Sequence, residues 1–304
     1  MSLNSDYIER FITYLYVEKN ASDYTMTFYK KDIATFAEFL QSIDLDSFSK
    51  VTYYNVRVFL TTLYNRKLSR KTVSRTLSSL RTFYKFLERE SLVETNPFVR
   101  IPLPKQDKLI PDFFYEEELS ELFQVNDVTT PLGQRNQALL ELLYATGIRV
   151  SECQSLTLDQ IDFNFNMIKV IGKGNKERYV PFGQFAEEAL STYINEGRKE
   201  LLPKHDEALQ AVFLNARGSP LTTRGIRYVL EQMIKQTSLT VNIHPHKFRH
   251  TFATHMLNEG ADLRSVQELL GHENLSTTQI YTHVTKDRLR RVYMNSHPRA
   301  KEDK

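Results

Sequence analysis

The sequence predicts a mainly α-helical chain in two parts: an N-terminal helical bundle, then a larger α-rich domain carrying a small antiparallel β-sheet or hairpin. Three observations predict it. Apolar residues recur at helical spacing through the first hundred residues. No glycine occurs before Gly133, which suits helices and argues against an all-β start. The period then changes once, where two short β-rich runs flank a glycine-bearing turn. A chain of 304 residues is long enough for two ordinary domains, each with its own core.

Ile8, Phe11, Ile12 and Leu15 form the first apolar stripe, and Ile33, Phe36, Ala37 and Leu40 the second. Val56, Phe59, Leu60 and Leu63 form a third. Val73, Leu77, Leu80, Phe83 and Leu87 form a fourth, with Ser69 as its N-cap. These helices make an N-terminal domain over 1–95. Pro97, Pro102, Pro104 and Pro111 block helix continuation and mark 96–111 as a linker, leaving 112–304 as the second domain. That domain opens with helices at Tyr115–Phe123 and Arg135–Thr146, the latter stopped by Gly147. Met167–Ile171 and Arg178–Phe182 read as a hairpin around Gly172-Lys173-Gly174-Asn175-Lys176. Helices follow at Phe185–Glu200, Thr223–Gln236, Phe248–Asn258, Asp262–Leu270 and from Thr277 onward, with Ser276 as the last cap. Lys286–Lys304 forms a tail whose Leu289, Val292 and Met294 need a partner, either their own domain or a neighbouring protomer.

Charge is uneven along the chain. From Met1 to Ser49 eight acidic residues outnumber four basic ones. From Arg57 to Lys85 there are eight basic residues (Arg57, Arg66, Lys67, Arg70, Lys71, Arg75, Arg81, Lys85) and no acidic one. A solvated helix face normally mixes both signs, so this block points to a polyanion, DNA or RNA. Arg70, Lys71, Arg75, Arg81 and Lys85 lie mostly away from the fourth apolar stripe and are the expected DNA-binding face. Met1–Arg10 is polar and unlike a signal peptide, and no apolar run approaches a bilayer's width. Cys153 is the only cysteine, which excludes an internal disulfide and fits a reducing cytoplasm; its expected role is buried and structural.

Five segments of the second domain place reactive side chains among apolar ones. Arg149 lies just past Gly147, and Lys173 sits in the hairpin turn. His246 and Arg249 are three apart, so they share a face if the helix includes them. His272 follows a helix end at Gly271, and Tyr281 lies nine residues further on. Attack on a phosphodiester needs such a set. Two arginines can grip the non-bridging oxygens with paired, planar hydrogen bonds. A histidine can hydrogen-bond the phosphate or take the tyrosine proton, a lysine can protonate the leaving 5′ oxygen, and tyrosine can be the nucleophile. Singly, each residue has a bland reading. Arg149 could cap a helix, His250 and His255 could be packing residues, and Gly172-Lys173-Gly174 lacks the spacing and context of a phosphate-cradling loop. His246 and His250 are four apart, a spacing zinc can use, but the cluster lacks further ligands, so no metal is expected.

The run His246-Lys247-Phe248-Arg249-His250-Thr251-Phe252-Ala253-Thr254-His255, then Leu269-Leu270-Gly271-His272, then Thr277-Thr278-Gln279-Ile280-Tyr281-Thr282-His283 resembles the tyrosine recombinase (phage integrase) family. Within it the chain is most similar to Xer-type, chromosome-resolving members, and to their XerC branch down to His297-Pro298-Arg299-Ala300. The likeness covers nearly the whole chain. It implies that Arg149 and Arg249 clamp the scissile phosphate, Lys173 is the general acid, His246 moves a proton, His272 hydrogen-bonds the phosphate and Tyr281 is the nucleophile. Glu152 matches an acidic position that braces the site. Lys176, three residues from Lys173, is the competing hairpin lysine. The resemblance further implies a 3′-phosphotyrosyl intermediate, no cofactor, a heterotetramer with a sister recombinase and activation by an FtsK-like DNA translocase. A phage- or transposon-type integrase with the same chemistry, and a non-catalytic architectural DNA-binding protein, are the alternatives.

Overall fold

The protein is described by a computed structural model over residues 3–19, 21–104, 113–172, 175–203, 208–239, 245–271 and 283–301. It divides into two compact units, Met1–Lys108 and Leu109–Lys304. Lys173, His272, Ser276, Thr277 and Tyr281 lie outside the described residues.

The first unit is built from helices α1 (Leu3–Val17), α2 (Asp23–Ser42), α3 (Tyr53–Asn65) and α4 (Arg70–Arg89). Each start from α2 on is set by a side chain that takes up an otherwise orphaned backbone N–H: Ser22 accepts from Thr25, Thr52 from Asn55 and Ser69 from Thr72. Helix α4 packs against the other three. Its stripe Val73, Leu77, Leu80, Phe83 and Leu87 is wholly buried, together with Phe11, Phe36, Phe48, Phe59 and Tyr84. Some aromatic edges meet faces, as where Phe36 meets Phe59 at 4.9 Å and Phe48 meets Phe83 at 5.1 Å. Helix α4 ends at its cap Glu90, before the first proline, and the chain beyond keeps packing. Phe98 and Ile101, expected in a linker, are buried in this core.

The second unit centres on α6 (Pro131–Thr146), buried on almost every side. It starts four residues before the sequence suggested, because Thr130 caps it and Pro131 occupies the first turn, where its missing N–H costs nothing. Around it lie α5 (Glu116–Phe123), α7 (Val150–Gln154), α8 (Gln184–Asn195), α9 (Gly197–Leu201), α10 (Thr223–Lys235), α11 (Pro245–Asn258), α12 (Leu263–Leu270) and α13 (His283–Ser296). The helix expected over 185–200 breaks at Glu196, where the Gly197 N–H turns to donate to Gln134 Oε1 of α6 at 2.8 Å. Strands β1 (Ile161–Asp162), β2 (Met167–Ile171) and β3 (Glu177–Pro181) form an antiparallel sheet in that order, with Val170 opposite Arg178. Two-residue β1 is too short to leave a periodic signal.

The tail finds its partner at home. Leu289, Tyr293 and Ala300 are buried in the second unit's core, and Val292 and Met294 pack against it. Arg299 donates to both oxygens of Glu141, a carboxylate inside α6, and lies over the rings of Phe123 and Phe185. Among the described residues no helix is long and apolar enough to cross a membrane.

Candidate active site

Helices α6 and α12 both end on a glycine in the left-handed region, Gly147 at φ 57° and Gly271 at φ 65°. At Gly147 any side chain would also collide, since a Cβ there would sit 2.7 Å from the Phe252 ring. A helix end leaves backbone carbonyls unpaired and carries partial negative charge. Here those carbonyls are taken up by arginines. Arg249, one turn into α11 and only 8 % exposed, donates to Gly147 O at 2.9 Å and Leu270 O at 2.5 Å, joining the two helix ends. Arg149, at the start of α7, reaches the adjoining carbonyl, Gly271 O, at 3.4 Å. Two side chains a hundred residues apart in sequence therefore converge on neighbouring peptide units.

A third arginine completes the group, and the sequence reading missed it. Arg178 on β3 is buried and donates its Nε to Leu269 O at 3.0 Å. Its two terminal nitrogens grip Glu152 as a fork, at 2.9 and 2.8 Å. Glu152 also accepts from Arg149 Nη1 at 2.9 Å and from the Arg149 backbone N–H at 2.8 Å. A signal for Arg178 does exist. In the strand Glu177-Arg178-Tyr179-Val180 the arginine shares the inward face with Val180, where an apolar residue is normally found.

The electrostatics are those of an anion site. Among the described residues three guanidinium groups face one carboxylate, an excess of positive charge. Burial pushes the Arg249 pKa down to about 10, and the nearby charges of Arg149 and Arg178 push the same way, against Glu152. Arg249 remains charged at neutral pH. Burial acts to raise the Glu152 pKa, but the hydrogen bonds and charge of Arg178, then the bonds from Arg149, win and hold it below the usual carboxylate value. An entering phosphate would relieve the repulsion among the arginines, which is a driving force for binding one.

Of the other expected site residues, His246 is exposed on the first turn of α11, three residues before Arg249. That helix starts at Pro245, three residues earlier than the apolar pattern alone implied, so the histidine lies on it. Lys176 is exposed beside the hairpin turn, closed by a bond from Gly172 N–H to Lys176 O. His255 is a packing residue as expected, between Tyr144 Oη at 2.8 Å and Phe114 O at 3.1 Å. His250 is exposed. Cys153 is buried, and burial pushes its thiol pKa up, away from nucleophilic use.

The expected DNA-binding arginines of α4 divide. Arg70, Lys71 and Lys85 are exposed. Arg75 and Arg81 also have guanidinium groups bonded within the unit. Arg75 Nη1 donates to buried Asp32 at 2.6 Å, and Arg81 donates to Phe98 O at 3.2 Å and Ile101 O at 2.6 Å, fastening the chain after α4 onto the bundle. Helix α10 adds exposed basic residues that the sequence reading did not single out, Arg224, Arg227 and Lys235.

Comparison with known proteins places this geometry. Residues 112–288 match the phage integrase family, and residues 8–91 match the N-terminal SAM-like domain of phage integrases. The tyrosine recombinase XerC of Oceanobacillus iheyensis is 63 % identical over 298 residues, covering 98 % of each chain. That of Bacillus subtilis is 55 % identical over 295 residues, covering 97 % of each. Among solved structures, the Tn1549 transposon integrase in complex with circular intermediate DNA superposes with a TM-score of 0.70 at 20 % identity, over 95 % of this chain and 98 % of that one. A lambda integrase dimer bound to a COC′ core site gives 0.67 at 16 % identity, over 93 % and 98 %. These two likenesses concern the fold. On the matching family domains and the extent of identity, the chain belongs to the phage integrase family: it is a site-specific tyrosine recombinase.

Proposed function

We propose that Tyr281 cuts one DNA strand while Arg149 and Arg249 hold the scissile phosphate between the ends of α6 and α12. The observation that carries the reading is the convergence of those two guanidiniums on the adjoining carbonyls of Gly271 and Leu270. The phenolic oxygen bonds to phosphorus and the bond to the 5′ oxygen breaks. The phenol's proton passes to a histidine, His246, while Lys173 gives a proton to the departing 5′ oxygen and His272 hydrogen-bonds the phosphate. Negative charge gathers on the non-bridging oxygens in the transition state, where the arginine forks bind it best. The 3′-phosphotyrosyl ester keeps the bond's energy, so a 5′ hydroxyl from the partner strand can reseal the backbone without ATP.

The relatives named XerC support a finer reading: resolution of chromosome or plasmid dimers, by two copies of this chain and two of a sister recombinase, under an FtsK-like translocase. Exchange between two duplexes needs four nucleophiles, which is why four protomers assemble. Exposed Arg70, Lys71 and Lys85 on α4 supply phosphate contacts in this reading, and the reaction takes place in the cytoplasm.

The test is a nicked duplex carrying the site that the chain retains from sheared genomic DNA of its own cell. Wild type is expected to give a denaturant-resistant protein–DNA adduct and Tyr281→Phe none. An adduct in the Phe variant would overturn the assignment of the nucleophile.

A further inference from the structure

Arg178 stands outside the expected machinery, yet it bonds both to Glu152 and to the end of α12. Its Nε binds Leu269 O, two residues before the Gly271 carbonyl that Arg149 uses. Its terminal nitrogens fix both oxygens of Glu152. One of those oxygens, Oε1, is the acceptor for Arg149 Nη1, and the other receives the Arg149 backbone N–H. Arg178 itself is on β3, opposite Val170 of β2 and one residue pair in from the turn between the two strands. The fit is close: a Cβ on Gly271 would lie 3.1–3.2 Å from the Arg178 side chain, and one on Gly172 would lie 3.6 Å from its Nη1.

We propose that Arg178 is a positioning residue for strand cleavage: it sets Glu152 in the orientation that aims Arg149, and it locks the β2–β3 hairpin to the end of α12. The proposal rests on the active-site reading above. A fork on a carboxylate fixes both its position and its plane, which a point charge does not. Glu152 is 6 % exposed and faces Arg149 and Arg178 directly, with the charge of Arg249 near and the buried thiol of Cys153 beside it in α7. No solvent is at hand to re-aim it. Loss of the fork frees the carboxylate to turn, and the Arg149 guanidinium that it orients loses its aim at the phosphate. A displacement of about 1 Å at a reacting centre costs on the order of a hundredfold in rate.

A pH signature separates this role from a merely structural one. Arg178 is the main influence holding the Glu152 pKa down against burial. Without it the carboxyl pKa rises, so Glu152 takes a proton as the pH falls through that higher value and releases Arg149. The acidic limb of the cleavage profile therefore moves to higher pH. A variant that only loosened the fold would lower the rate by one factor at every pH.

The experiment uses the full chain and the nicked duplex described above, in single turnover between pH 5.5 and 9, with DNA affinity and thermal unfolding measured alongside. Arg178→Met is expected to slow adduct formation about a hundredfold at pH 7, with affinity within a few-fold of wild type and the acidic limb shifted upward. Arg178→Lys, which keeps the charge without the fork, is expected to be slowed about tenfold with the limb close to its wild-type position. Should Arg178→Met fail to fold, the Lys variant decides, and wild-type cleavage in it overturns the proposal. A pH-independent loss in Arg178→Met, or cleavage within threefold of wild type, also overturns it. Wild type forming adduct and Tyr281→Phe forming none, beside a normal Arg178→Met, sinks this proposal alone. An adduct in Tyr281→Phe removes the reading of the site and this proposal with it.

Discussion

The two units use arginine in opposite ways. In the first, arginines sit on the rim of an aromatic core, some exposed (Arg70) and some folded back to tie the bundle together (Arg75, Arg81). In the second, Arg149, Arg178 and Arg249 are drawn inward to the ends of two helices, where one carboxylate only partly offsets them. An exposed arginine is a weak, screened, sequence-tolerant contact; one set in a frame of carbonyls is pre-aimed, so no reorganisation is needed when charge develops. Binding and chemistry thus divide between two kinds of packing. In the first unit a change should act through stability or salt-dependent affinity, and in the second through rate.

The largest effect is expected at Arg249. Arg249→Lys keeps the charge but cannot bridge Gly147 O and Leu270 O and still present a fork to phosphate. Single-turnover adduct formation should fall by about 10²- to 10³-fold, the usual cost of losing one oxyanion donor, with DNA affinity little changed. Retention of more than a tenth of the rate would mean that charge alone suffices and that the frame is decorative.

An intermediate effect belongs to the first unit and should spare the chemistry. Buried Asp32 accepts from Arg75 at 2.6 Å, Thr76 at 3.1 Å and Ser79 at 2.8 Å, so it pins α2 to α4. Asp32→Ala strands the two hydroxyls, while half-exposed Arg75 can turn to water. The cost should be about 2–3 kcal/mol, seen as an earlier first transition in urea unfolding of the full chain. Below that transition the adduct rate per bound complex should match wild type. A large loss of rate there would break the division between the units.

What the sequence disclosed follows the same division. Helix α4 was legible because Val73, Leu77, Leu80, Phe83 and Leu87 repeat at the helix period and all face one core. Arg149, His246 and Arg249 stood out because they accompany helix-ending glycines and a dense motif, whereas Arg178 lies within a strand with no punctuation beside it. Its partner Glu152 is 26 residues away, and Glu141 meets Arg299 across 158 residues. Pairings at such separations carry no period, so no local pattern announces them. The internal bonds of Arg81 are hidden for the same reason. A helical wheel shows it away from the apolar stripe, but not that the chain returns 17 and 20 residues later to lay two carbonyls beneath it.

The smallest effect compares the exposed and the engaged cations of α4. Each phosphate neutralised contributes about −0.9 to the slope of log affinity against log salt. If Arg70 and Lys71 touch the backbone, the double variant Arg70→Ala with Lys71→Ala should flatten the slope by up to about two units, with affinity falling several-fold at low salt. Arg81→Gln should leave the slope untouched, because that guanidinium is taken up by Phe98 O and Ile101 O before DNA arrives. It should lower stability instead. The two variants remove cations from one helix, so equal slopes would show that exposure and engagement make no difference on α4. An unchanged slope in the double variant would take its N-terminal end out of the DNA interface and leave α10, with Arg224 and Arg227, as the next surface to titrate.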